Sequence, residues 1–131
     1  MYQPLLAVDA NERRAESVLD TLQTLPAYEE EIKPTVFHCF TNNPEGASIN
    51  QVKSVRKIID ALEGQNIEFQ LMEASGEPSV EIINAADEID ADGIFMAGRK
   101  RSATGKVLFG STTQEVVLNT DRSVMICGQT K

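Results

Sequence analysis

The sequence predicts an α/β protein, a three-layer open parallel sheet with helices on both faces. Three observations carry that reading. Five short apolar or β-branched runs alternate with four segments whose apolar residues recur at helical spacing. The run Gly93-Ile94-Phe95-Met96-Ala97 is apolar throughout, as a strand covered on both faces must be. Turn-forming residues separate the runs, above all at Asn42-Asn43-Pro44-Glu45-Gly46 and Gly76-Glu77-Pro78. Parallel neighbours need a crossover connection, and the right-handed βαβ unit is the common one. The 131 residues suffice for one core and are too few for two, so residues 1–131 are expected to form a single domain.

Taken in order, Leu5-Leu6-Ala7-Val8 reads as the first strand, closed by Asp9, and Ala15, Val18, Leu19, Leu22 and Leu25 mark the first helix. Beyond Pro26 and an acidic stretch at 29–31, Thr35-Val36-Phe37-His38-Cys39-Phe40 is the second strand. Ser48 and Gln51 have capping-box spacing, and Val52, Val55, Ile59 and Leu62 share one face of a second helix that Gly64 is expected to stop. Ile67-Glu68-Phe69-Gln70-Leu71 alternates, which suits a half-exposed third strand at a sheet edge. Pro78 fits the first position of a third helix carrying Val80, Ile82, Ile83, Ala86 and Ile89. Gly93 to Ala97 then forms a central fourth strand. Ser111 and Gln114 suggest a second capping box for a last helix through Asn119, before the final strand Val124-Met125-Ile126-Cys127. No internal repeat or linker interrupts this pattern.

Composition narrows the function. Twenty acidic residues against twelve basic ones give a net charge of −8, which repels nucleic-acid phosphates and anionic membrane surfaces. The same excess suits a high-salt cytoplasm and many ordinary soluble proteins. No apolar run approaches the ~20 residues of a bilayer span. Met1-Tyr2-Gln3-Pro4 leads into a short apolar run without the marks of a signal peptide, so the expected location is the cytoplasm. Cys39 and Cys127 lie in β-rich runs without metal or redox spacing and read as buried free thiols.

Chemistry in such sheets sits beyond the carboxyl ends of the strands, where strand order reverses. That directs attention to Asp9, the loop after Cys39, and residues 98–111. From Gly93 to Gln114 there is no acidic residue, whereas Arg99, Lys100, Arg101 and Lys106 fall together. The segment ends at Gly110-Ser111, where a helix N-terminus offers free N–H groups and a positive dipole end to an anion. Phosphate binding is one reading; a solvated loop with a turn at Gly110 and a cap at Ser111 is the other. It is not a Walker A motif, because Lys100 stands where the earlier glycine belongs and Val107 replaces the Ser or Thr. No GxGxxG follows the first strand. Asp9 is equally suited to cap the first helix. His38 has no Cys or Asp partner at triad-like spacing and reads as a packed strand histidine without a catalytic role.

These residues together resemble a universal stress protein: a strand ending in Asp9, a strand carrying His38, Gly76-Glu77-Pro78 opening a helix, and Met96-Ala97-Gly98 leading through a loop to Gly110-Ser111. The resemblance spans essentially the whole chain. It implies an adenine nucleotide alpha hydrolase-like sheet in order 3-2-1-4-5, a homodimer, and in one branch ATP held by a glycine loop. Relative to that branch Arg101 stands at the second glycine position, and the loop is one residue shorter. By resemblance, Asp9 would meet the ribose or a metal-bound phosphate region. The backbone near Ala7, Val8 and Cys39 would hold adenine. Phosphates would fall to Ala97, Gly98, Arg99, Lys100 and Arg101 and to Gly110, Ser111, Thr112 and Thr113.

The function expected is therefore a dimeric stress-response or regulatory module binding ATP or another adenine nucleotide, with or without Mg. The alternative is a dimeric protein-interaction module of the same fold that binds no nucleotide. Nothing supplies a paired acid and base or an activated nucleophile, so slow ATP hydrolysis is the most that is expected of it as an enzyme. In the implied order the two cysteines stand on strands separated by two others, roughly 14 Å apart and beyond disulfide reach. The apolar last strand, Val124, Met125, Ile126 and Cys127, would lie at an edge, and such an edge calls for a partner strand.

Overall fold

A computed structural model describes residues 1–26, 28, 31–41, 46–98 and 110–128. Among these residues five strands and four α-helices alternate: β1 (Pro4–Ala7), α1 (Glu12–Gln23), β2 (Thr35–Phe40), α2 (Lys53–Gly64), β3 (Gln70–Ser75), α3 (Pro78–Ile89), β4 (Gly93–Ala97), α4 (Ser111–Asn119) and β5 (Val124–Cys127). All strand pairs are parallel, and the sheet order is β3-β2-β1-β4-β5. Parallel and order 3-2-1-4-5 are thus both as expected.

Side-chain alternation along the strands divides the interior into two cores. On one face Leu6, Val8, Val36 and Phe95 pack against Ala15, Val18 and Leu22 of α1 and Val55, Ile58, Ile59 and Leu62 of α2. On the other, Leu5, Phe37, Ile94 and Met96 pack against Ile82, Ala85 and Ala86 of α3, with Val116 from α4. Leu5 and Leu6 are adjacent, face opposite cores, and are both fully buried. At about 25 cal/mol per Å² of apolar area, each contributes on the order of 2 kcal/mol.

Several boundaries depart from the sequence reading. Asn11, not Asp9, caps α1, accepting the Arg14 N–H at 3.0 Å. The Ser48–Gln51 capping box exists, but it opens a 3-10 turn at Ile49–Gln51 rather than α2 itself. Ser111 is not a cap: Gly110 occupies that position and has no side chain, so among the described residues α4 begins without a side-chain cap. The third strand lies three residues further on than the alternation at 67–71 suggested. Asn66, with φ 58°, ends α2 in the left-handed region, and the N–H groups of Asn66 and Ile67 return to the carbonyls of Glu63 and Leu62. Ile67 is buried against that helix end, the hydrophobic contact of this closing motif, so its apolar signal belongs to the α2 terminus and not to β3.

Gly93 opens β4 beneath Tyr2. A Cβ added there would lie 2.8 Å from the Tyr2 hydroxyl, with the next atom 3.6 Å away. Gly93→Ala is expected to destabilise the fold by about 1–2 kcal/mol, as overpacking does. The cost should fall in a Tyr2→Phe background, read as a double-mutant cycle by chemical unfolding. An equal cost in both backgrounds would show that the hydroxyl is not what Gly93 accommodates.

Candidate functional site

The chain runs β1, β2, β3 towards one edge, then returns to place β4 on the other side of β1. The helices that follow β1 and β4 therefore pack on opposite faces of the sheet, and a cleft opens beyond the carboxyl ends of the central strands. Its volume is about 500 Å³, within the range of small-molecule sites.

Each wall comes from a different element. Ala7, Val8 and Asp9 leave β1; His38, Cys39 and Phe40 end β2; Met96 and Ala97 end β4; Gly110, Ser111, Thr112 and Thr113 open α4; Pro78 and Ile82 come from α3. Nine of the residues singled out by sequence thus lie together: Ala7, Val8, Asp9, Cys39, Ala97, Gly110, Ser111, Thr112 and Thr113. Gly98 is not among the lining residues. Its N–H donates to the Cys127 carbonyl at 2.9 Å, continuing the β4–β5 ladder. Arg99, Lys100 and Arg101 lie outside the described residues.

The β1 terminus is fixed by hydrogen bonds to consecutive carbonyls. His38 Nδ1 lies 2.7 Å from the Val8 carbonyl oxygen. That oxygen only accepts, so Nδ1 carries the proton. Ser54, fully buried on α2, donates its hydroxyl to the Asp9 carbonyl at 2.6 Å. His38 is buried and meets Phe40 edge to face at 4.7 Å, which agrees with a packed strand histidine while adding a specific duty at the cleft floor.

Sequence reasoning missed Arg14. It lines the cleft from the first turn of α1, and its Nη1 donates to Asp9 Oδ2 at 2.9 Å. The second Asp9 oxygen, Oδ1, accepts the Asn11 N–H at 2.9 Å. The available signal was a cation in a helix first turn, where it opposes the macrodipole and calls for a nearby carboxylate. At another wall the α4 N-terminus, without a side-chain cap among the described residues, presents N–H groups, so this end and Arg14 both favour an anion.

Neither thiol is poised as a nucleophile. Burial is the main cause that raises the Cys39 thiol above its usual value, with the Glu81 carboxylate adding to it. Burial likewise pushes Cys127 up from 9.0 to about 11. Both are free cysteines, on β2 and β5 respectively, with β1 and β4 between those strands.

A model of the universal stress protein family matches residues 1–128. The chain belongs to the universal stress protein family. This universal stress protein is similar to one from Archaeoglobus fulgidus at 27% identity and TM-score 0.74, covering 96% of this chain and 98% of that one. A universal stress protein in complex with cAMP shares 17% identity and a TM-score of 0.73, with 98% of each chain covered. An Archaeoglobus fulgidus universal stress protein in complex with dAMP shares 20% identity and a TM-score of 0.68, covering 96% and 97%. No curated protein matches the sequence.

Cys127 offers a direct check on the core beneath the cleft. A thiol whose folded pKa is raised stabilises the fold fully below its unfolded value, and that contribution is lost as pH rises through the folded value. The stability advantage of wild type over Cys127→Ala is therefore expected to shrink between pH 9 and pH 11. Urea unfolding across that window reads it. An advantage that stays constant would mean that the thiol is not insulated from water.

Proposed function

We propose that this universal stress protein takes an adenine nucleotide into the cleft and acts as a regulatory module of the cytoplasm rather than as a catalyst. The observation that carries the proposal is the meeting, at one strand-order switch point, of the α4 N-terminus with the β1 and β2 ends. Backbone near Ala7, Val8 and Cys39 receives the base, Asp9 stands towards the ribose, and the N–H groups of Ser111, Thr112 and Thr113 receive phosphate. The complexes of similar proteins with cAMP and dAMP support adenine as the base. The basic residues Arg99, Lys100 and Arg101 raise the local potential of an acidic chain by their place in the sequence alone.

Calorimetric titration with AMP and with ATP tests this. Ligand at a hundred times its dissociation constant stabilises the fold by about 2.7 kcal/mol, so a rise in melting temperature accompanies binding. Gly110→Val places a branched side chain at the α4 entrance and is expected to weaken AMP binding at least about tenfold, or ~1.4 kcal/mol. No binding of either nucleotide at millimolar concentration would favour the protein-contact module.

The assembly proposed is a homodimer through β5. Val124 and Ile126 are half-buried and Met125 is 43% exposed on this edge strand. Val117 and Leu118 of the neighbouring α4 are also exposed, Leu118 at 81%. The apolar edge is the surface that pairs with its copy in this proposal, and the exposed α4 residues add apolar area for the partner to cover. Met125→Asp is expected to convert dimer to monomer in light scattering at micromolar concentration. A wild-type monomer, or a dimer indifferent to this change, contradicts the assignment.

A further inference from the structure

Among the described residues, the two charged side chains that line the cleft are bound to each other. Asp9 is the one acidic residue among the described residues that line it, and both of its carboxylate oxygens are engaged, Oδ2 by Arg14 and Oδ1 by the Asn11 N–H. Magnesium is held through one or two carboxylates and waters in a near-octahedral shell. Here a cation at Asp9 has to displace a guanidinium and then remain beside it, against like-charge repulsion. Among the described residues no group of three or more His, Cys, Asp or Glu is placed to hold a metal elsewhere. The described residues of the cleft do not fit a divalent cation.

They do fit its replacement by a side chain. Arginine carries five N–H donors, and Asp9 takes one of Arg14's. Among the described residues the rest of that guanidinium has no protein partner. A guanidinium with donors to spare meets phosphate through paired, charge-assisted bonds. Asp9 holds it at the cleft mouth, with its side chain 31% exposed and so within reach of a solute. The α4 N-terminus faces the same space.

We infer that this protein binds its nucleotide as a bare anion, without a divalent cation, and that Arg14, positioned by Asp9, supplies the positive charge a metal would otherwise bring. The inference rests on the cleft being the nucleotide site, and it narrows the ligand to the metal-free form of a phosphate-bearing adenine nucleotide.

The test is calorimetric titration of the intact protein with AMP and with ATP, each in EDTA and in excess Mg²⁺ at matched ionic strength. AMP affinity should be the same in both media. ATP should bind more weakly in Mg²⁺, because the cation competes with Arg14 for the phosphates. Arg14→Ala should weaken AMP binding roughly tenfold, the loss expected for one charge-assisted hydrogen bond, and flatten the dependence on salt. Arg14→Lys should restore the salt dependence and part of the affinity, while thermal melts verify that each variant folds. Two results overturn the inference: nucleotide affinity that rises in Mg²⁺, with loss of that rise in Asp9→Asn making Asp9 the metal ligand, or an Arg14→Ala protein with unchanged affinity and salt dependence. Absence of AMP and ATP binding in both media is a different failure, since it removes the nucleotide reading and this inference with it.

Discussion

A parallel strand buried on both faces has no polar side to present, and β1 meets that constraint with Leu5 and Leu6 facing opposite cores without exposure. Everything at the cleft depends on it. Because β1 is the shared centre of two sets of crossovers, β2 must lie to one side and β4 to the other. The chain ends β1 in a carbonyl pair, Val8 and Asp9, that the sheet no longer satisfies fully, and His38 and Ser54 supply the donors. A packed histidine and a buried serine thus turn the edge of a core into a firm floor for a cleft.

Charge is distributed against the average of the chain. The molecule carries −8 overall, yet Asp9 alone among the described cleft residues is acidic, and Arg14 is bonded to it. As a surface ion pair this contact is worth little to stability, typically 0–1 kcal/mol. Its value lies in position. It holds a cation in the first turn of α1, where the helix dipole by itself disfavours one. The acidic surface elsewhere lowers nonspecific attraction for polyanions, so a small anion bound as proposed would gain affinity from local geometry rather than from the field of the whole protein.

The strands β2, β4 and β5 were legible residue for residue because uninterrupted apolar or β-branched runs have few other uses. The third strand was not. Ile67 is apolar because it seals the end of α2, and from sequence a helix-closing contact looks like the start of a strand alternation. Caps were harder still. Asp9, Asn11, Ser111 and Gly110 all satisfy composition rules for helix starts, and only backbone geometry chooses Asn11 and Gly110. Nine candidate residues converge on the cleft because strand ends are topologically fixed. Arg14 escaped notice because its meaning comes from a partner five positions earlier across a turn, a relation that neither helical nor strand periodicity encodes.

The two faces of the sheet are not covered equally, and this asymmetry links the cleft to assembly. On the first face α1 and α2 each bury several side chains, whereas α4 on the second contributes Val116 and Thr113. It is held mainly through α3, where Ser79 donates to Glu115 at 2.6 Å, while Arg122 beyond its C-terminus reaches Asp87 and Asp90 at 3.1 Å. The N-terminus of α4 lines the cleft while Val117 and Leu118 of the same helix are exposed. The proposed anion at the α4 N–H groups and the proposed second subunit on its apolar side would therefore act on the same element. That shared element is the physical route by which nucleotide occupancy and dimer strength would be coupled, in either direction equally.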